Sequence, residues 1–225
     1  MSNHAIYSPS AAERWLNCPG SVNLTEAANI PGGEHNEYTA SGTVIHALGE
    51  ILLRTVFQED GDYRPVLDHA LTEKWGYYAD LPPEFANMAM TEDMIDQAEQ
   101  YLYHARTLIN DDDTVMIEKH VGKKGELVHG TADLVAINDD RVLICDLKTA
   151  SGKMVHPEES PQLRTYAWLL VGMLSGTPPP VVELAIIQPP DEENVLKTWE
   201  TDMGRLVEHG NDILAALNSE ALQPR

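Results

Sequence analysis

Two cysteines and two phenylalanines in 225 residues, with 15 basic side chains against 36 acidic ones, set the first limits on this chain. Cys18 and Cys145 are far apart, and Cys145 falls inside an apolar run. A disulfide framework is therefore excluded, and two reduced thiols are expected. No stretch approaches the roughly 18 uninterrupted apolar residues of a membrane-spanning helix. Met1-Ser2-Asn3-His4 lacks the basic-then-apolar order of a signal peptide, so a soluble cytoplasmic protein is expected. No Gly-x-x-x-x-Gly-Lys-Ser/Thr phosphate loop is present, which excludes a helicase motor of that type. Internal repeats, long charge runs and low-complexity segments are also missing.

The shortage of positive charge bears directly on nucleic-acid binding. A net charge of −21 is unlike the basic footprint of most proteins that grip DNA or RNA. Its distribution is uneven, however. Between Lys119 and Arg164 the basic residues Lys119, Lys123, Lys124, Arg141, Lys148, Lys153 and Arg164 balance Glu126, Asp133, Asp139, Asp140, Asp146, Glu158 and Glu159. The remaining 8 basic and 29 acidic residues lie elsewhere. A bound cation would tip the central region positive, while the acidic remainder favours solubility or repels DNA from other faces.

What is present reads as helices followed by strands. Ser8-Pro9-Ser10 before Ala11-Ala12-Glu13-Arg14-Trp15-Leu16 predicts a short helix with Ser8 or Ser10 as N-cap, ended by Asn17-Cys18-Pro19-Gly20. A loop around Pro31-Gly32-Gly33 leads to a helix over about residues 40–56, with Val44, Ile45, Leu48, Ile51 and Leu52 on one arc. His46 and Glu50 lie on the other side. The stretch from Asp60 to Pro83 is turn-rich and reads as a lid or helical cap. Residues 91–109 repeat apolar side chains at helical spacing. Strands follow at about 114–121, 127–137 and 142–149, then a helix at 160–174, strands at 181–187 and 195–200, and a helix at 203–218. The fold class is α/β (α+β): one domain over 1–225, mainly helical through 1–112, with a sheet core over 113–225.

Two aspartates stand out within that core. The segments holding Asp133 and Asp146 flank the polar break Asn138-Asp139-Asp140-Arg141. A symmetric hairpin about this break pairs residues whose numbers sum to 279 and sets Asp133 opposite Asp146. Like charges directly opposed on two strands destabilise the pair unless something positive joins them. Lys148 shares the face of Asp146. Two carboxylates and an ammonium are the minimum set for holding a divalent metal against a phosphate. An exposed hairpin whose lysine neutralises two acids is the plain alternative, but Val135, Ile137, Val142 and Ile144 on the same face argue against a solvated surface.

Gly130-x-x-Asp133, a spacer of twelve residues, Asp146-x-Lys148, and Gln162-x-x-x-Tyr166 on the next helix, preceded by Gly42-Thr43-Val44-Ile45-His46, resemble the PD-(D/E)XK nuclease superfamily, specifically its RecB-like branch. The opening Ser8–Pro19 resembles the start of phage- and prophage-encoded nucleases of that type, so the resemblance spans roughly residues 8–170. It implies a restriction-endonuclease-like core, a central mixed sheet flanked by helices, with an N-terminal helical lobe. It implies metal ligation by His46, Asp133, Asp146 and the Leu147 carbonyl, with Mg²⁺ or Mn²⁺ as cofactor. Lys148 would contact the scissile phosphate, and Gln162 and Tyr166 would help hold the site and the DNA strand. Glu50 and Glu118 are candidates to support the ligands from behind. Relatives with an iron–sulfur cluster use four cysteines; here none follows Cys145, so no cluster is expected.

The activity implied is that of a metal-dependent deoxyribonuclease, an exonuclease processing linear duplex ends for phage-type recombination or repair in a bacterial host cytoplasm. A single-strand annealing recombinase is the implied partner, and a homo-oligomer is compatible with it. Two alternatives stay open on the residues: an acidic DNA mimic or regulatory protein on a nuclease scaffold, and hydrolysis of RNA or a nucleotide.

Overall fold

The computed structural model of the chain describes residues 5–28, 36–75, 79, 81–123, 125–149, 153–191 and 193–219. The chain opens with a 3-10 turn over Pro9–Ala11 that runs into α1 (Ala12–Asn17), followed by α2 (Ser21–Ala27). Helix α3 (Glu37–Phe57) begins at a reciprocal cap: Asn36 Oδ1 accepts from Thr39 N at 2.9 Å, and Thr39 Oγ1 accepts from Asn36 N at 3.0 Å. After α4 (Arg64–Ala70) comes α5 (Glu92–Leu108), capped by Thr91. Strands β1 (Thr114–Val121), β2 (Gly130–Ile137) and β3 (Arg141–Leu147) precede α6 (Pro161–Val171), where Ser160 caps and proline fills the first turn. Strands β4 (Val181–Ile187) and β5 (Leu196–Asp202) and helix α7 (Met203–Leu217), capped by Asp202, complete the order.

The strands form one mixed sheet in the order β1-β2-β3-β4-β5. Strands β1, β2 and β3 run antiparallel, β3 and β4 are parallel, and β5 returns antiparallel to β4. The parallel step requires a crossover, which α6 provides. Apolar side chains on both faces of β3 produce two cores. Helices α3 and α5 cover one face, burying Leu48, Leu52 and Leu102 on Leu134, Leu143 and Leu147. Helices α6 and α7 with the N-terminal segment cover the other, burying Trp15, Leu163, Leu170 and Ile213 on Val135 and Ile144. The fold is thus α+β with a five-stranded mixed sheet, as the order of elements predicts.

The expected hairpin register holds from Leu134↔Cys145 through Ile137↔Val142, each pair summing to 279. The ladder ends one step short of Asp133 and Asp146, for a reason given below. Expectations are corrected at several points. Ser8 occupies the cap position of the first turn without capping it, because Ser8 Oγ and Ser10 Oγ bond each other at 3.1 Å and the Ser8 carbonyl accepts from Trp15 Nε1. Helix α2 was not expected, and β3 stops at Leu147 rather than running to 149. Of the lid or helical cap expected in the middle of the chain, the described residues form the cap: Trp75 and Ala70 are buried with α3 and α5, and Trp75 Nε1 donates to the Ala70 carbonyl. The loop at Pro31-Gly32-Gly33, Lys124 and Pro224-Arg225 lie outside the described residues. Among the described residues no helix is long and apolar enough to cross a membrane. Cys18 and Cys145 are both free thiols.

Candidate functional site

Beyond the last β2–β3 ladder pair the two strands part, and side chains replace backbone pairing between them. Asp133 Oδ2 accepts a hydrogen bond from Leu147 N at 2.9 Å, so one aspartate takes up the backbone donor beyond the last ladder pair. Lys148 N still bonds the Ile187 carbonyl at 2.9 Å, which anchors the residue after β3 on β4. These two backbone contacts fix Asp146, Leu147 and Lys148 relative to Asp133.

Charge is balanced within this small space. Lys148 Nζ stands 2.7 Å from Asp146 Oδ2 and donates to Gln162 Oε1 at 3.0 Å. Gln162 Nε2 donates in turn to Asp146 Oδ1 at 2.7 Å. The α6 side chain therefore bridges an acid and a base that sit two residues apart on the strand. Asp146 Oδ2 is buried, and its close partner among the described residues is the Lys148 ammonium. From α3, His46 Nδ1 lies 3.6 Å from Asp133 Oδ2. Burial and then the charge of Asp146 raise the Asp133 carboxyl to about 6, against the pull of His46, the Leu147 amide and Lys148.

Glycines in the two sequence motifs have steric work. A Cβ on Gly42 would meet Thr149 Oγ1 at 2.8 Å, so glycine lets α3, and with it His46, approach the end of β3. A Cβ on Gly130 would lie 2.9 Å from Pro9 Cδ and 3.0 Å from Tyr166 Cε1. Gly130 thus lets the N-terminal turn and Tyr166 pack over the start of β2. Tyr166 is buried, and its hydroxyl is pushed well up by that burial, with Asp146 and Asp133 adding to it and a side-chain hydrogen bond with Gln162 opposing it.

Glu118 joins the acids more closely than its sequence position indicates. The β1–β2 register pairs Ile117 with Leu134 and Lys119 with Ala132, which sets Glu118 across from Asp133. Its φ of 50° is a left-handed conformation that costs a non-glycine residue about 1–2 kcal/mol. Side-chain alternation slips at this rung. Ile117 and Leu134 belong to the core under α3 and α5, whereas Val121 and Ala132 belong to the opposite core. Burial, then Asp133 and Glu50, raise the Glu118 carboxyl to about 8, with Arg54 opposing. Carboxylates at Glu118, Asp133 and Asp146 thereby occupy neighbouring strands.

Glu50 does not pair with His46. It is held by Arg54, whose Nε donates to Glu50 Oε1 at 2.8 Å and whose other nitrogens reach Gln58 Oε1 and the Ile117 carbonyl. Arg54 was missed by the sequence reading, although His46, Glu50 and Arg54 at four-residue spacing mark one helical edge. Tyr101 of α5 is buried in the core that α3 and α5 cover.

Hard-oxygen donors and one imidazole match the ligand preferences of Mg²⁺ or Mn²⁺. Asp146 Oδ2 is met by Lys148 Nζ at 2.7 Å, so a bound cation would have to share that oxygen with the ammonium. Among the described residues, His46, Asp133 and Asp146 are not drawn together into a set of three or more ligands at metal-holding distances. The donors fit in kind, with Lys148 and Gln162 now occupying the Asp146 carboxylate.

Solved structures similar to this chain include two of low sequence identity. The crystal structure of SSO0001 is 13% identical, with a TM-score of 0.28 over 93% of this chain and 88% of that one. The crystal structure of an alkaline exonuclease (LHK-Exo) from Laribacter hongkongensis is 12% identical, with a TM-score of 0.33 over 78% of this chain and 90% of that one. Neither likeness is close enough to assign a role to any residue here. Sequence comparison is more decisive about kinship: a single family model matches residues 4–225, nearly the whole length, and the chain belongs to that family, described as Protein of unknown function (DUF2800).

Proposed function

We propose that this chain is a metal-dependent nuclease of the RecB-like type that cleaves phosphodiester bonds in DNA, acting as an exonuclease at linear duplex ends. The observation that supports it most is the single Gln162 amide joining Asp146 to Lys148, beside an Asp133 whose carboxyl is raised by burial and by the same acid. A structural ion pair has no need of a second acid at the end of the neighbouring strand, or of a histidine brought to it from another helix.

Asp133, Asp146, the Leu147 carbonyl and His46 would hold the divalent ion. When bound, that ion supplies Lewis-acid polarisation of the phosphodiester and makes an attacking water more acidic. Lys148 supplies a fixed positive charge for the phosphate as negative charge develops. Gln162 holds the Lys148 ammonium in place. Tyr166 packs the base of α6 against the start of β2 and keeps Gln162 at its station.

The test is cleavage of end-labelled linear duplex beside a covalently closed circle, with Mg²⁺, Mn²⁺ or EDTA, by the native chain, Lys148→Ala and Asp146→Ala. Loss of the linear form alone, abolished by EDTA and by either substitution, is expected. Undiminished cleavage by both variants overturns the reading. Absence of cleavage of both DNAs with every metal favours the acidic regulatory protein to which the charge of −21 points.

A further inference from the structure

Gln188, the first residue after β4, is fully buried, and both ends of its amide bond the segment that follows Lys148. Its Nε2 donates to the Lys153 carbonyl at 2.9 Å, and its Oε1 accepts from Val155 N at 3.0 Å. The same oxygen accepts from Lys197 Nζ of β5 at 3.2 Å, and that ammonium is itself paired with Asp191 at 2.7 Å. Lys148 N bonds the carbonyl of Ile187, the residue before Gln188. The backbones of Lys148 and Lys153 are therefore tied to consecutive residues at the end of β4, which keeps Lys153 beside the proposed site.

Burying an amide is unfavourable unless its hydrogen bonds are made, and ordering an exposed segment costs conformational entropy. The Gln188 clamp makes those bonds on backbone groups and so removes the freedom of the segment at Lys153 and Val155. Val155 packs on the core under α6 and α7, whereas Lys153 is exposed. What the clamp presents to solvent is thus a cation.

Positive charge of this kind is scarce here. Of the 15 basic residues, eight are paired with an acid among the described residues, and Lys153 is not one of them. A net charge of −21 repels a polyanion at a distance, so contacts that hold DNA against Asp146 and Lys148 have to come from local cations.

We propose that Lys153 is a substrate-binding residue that contacts a backbone phosphate of the DNA strand at the site, with the Gln188 amide fixing the point from which its side chain reaches. This inference rests on the nuclease reading above. A phosphate contact adds affinity without reading sequence, and it shows in the salt dependence of binding through the counterion it releases.

The experiment is fluorescence anisotropy of a labelled linear duplex titrated with the full native chain, Lys153→Ala, Lys153→Arg and Lys74→Ala at several salt concentrations, in EDTA and again with Ca²⁺. Gln188 holds Lys153 by its backbone carbonyl, so K153A keeps the clamp. Lys74 is an exposed lysine of the helical cap, so K74A removes the same charge from a different part of the fold. The expected result is affinity for K153A roughly five- to tenfold lower near about 0.1 M salt, with the slope of log affinity against log salt shallower by about 0.9. K153R and K74A should keep the native slope. An unchanged slope in K153A overturns the inference and leaves the nuclease reading standing. An equal loss in K74A also overturns it, because the effect would then be one of net charge alone. Failure of the native chain to bind the duplex in both EDTA and Ca²⁺ overturns the DNA-cleaving reading and this inference together.

Discussion

Gln162 donates to Asp146 through one end of its amide at 2.7 Å, and the other end accepts from Lys148 at 3.0 Å. One neutral side chain thereby sets the separation between an acid and a base that would otherwise be free to rotate. Replacing Gln162 by alanine removes two hydrogen bonds to charged groups, each worth about 1.5–3 kcal/mol where it is fully expressed. The residue is only half-buried, so the fold should survive. Cleavage by Gln162→Ala should fall roughly 10- to 100-fold at about 1.4 kcal/mol per tenfold, with the unfolding temperature little changed. Activity within twofold of native would show that Lys148 is held without the amide.

The reading of the hairpin from sequence succeeded because apolar alternation and a polar break are local signals. Val135, Ala136, Val142 and Ile144 determine the register, and it places Asp133 and Asp146 at its open end. Gln162 and Tyr166 could be picked out only through their motif, since helical periodicity does not reveal which strand a helix meets. Glu118, a candidate from its place on the strand before the hairpin, is set across from Asp133 by the β1–β2 register. That register is a contact between distant segments, which periodicity does not encode. The early start of α3 escaped for a different reason. Its cap pairs Asn36 with Thr39, and threonine at that position lacks the Glu or Gln of the usual capping signature.

Gly130→Ala should show how tightly the motif glycine couples the N-terminal turn to α6. The added methyl would press on Pro9 Cδ at 2.9 Å and on the Tyr166 ring at 3.0 Å, both parts of rigid rings. Overpacking of this kind costs about 1–3 kcal/mol. The expected outcome is a lower midpoint in urea unfolding with an unchanged slope, and a larger loss for Gly130→Val. A native midpoint for Gly130→Ala would mean that Pro9 yields freely.

Acid sensitivity should come in part from His209, buried between α6 and α7, with Nε2 3.0 Å from Thr165 Oγ1. Burial, then the nearby Arg164, lower its imidazole from 6.5 to about 4. The unfolded chain takes up this proton near pH 6.5 and the folded chain only near 4, so stability is lost as pH falls through that window. At about 1.4 kcal/mol per pH unit, the loss is roughly 2–3 kcal/mol by pH 4.5. Urea unfolding at pH 7.5 and 4.5 should show His209→Gln losing less between the two than the native chain. Equal losses would place the acid sensitivity elsewhere.

Arg141 tests how the sheet is tied to the helical lobe. At the start of β3 its guanidinium bonds Asp113 Oδ2 at 2.7 Å, Glu183 of β4 and the Leu108 carbonyl at the end of α5. The Asp113 side chain is fully buried, so its charge depends on this one arginine. Arg141→Met should cost about 3–5 kcal/mol, because two acids are left facing each other without a cation. Neutralising them together, as Arg141→Met with Asp113→Asn and Glu183→Gln, should recover much of that loss, since replacing a whole buried ionic cluster is often near neutral. If the triple variant unfolds as readily as Arg141→Met, the guanidinium matters for its bond to Leu108 rather than for its charge. Calorimetric unfolding of the native chain and the two variants at pH 7 distinguishes the two outcomes.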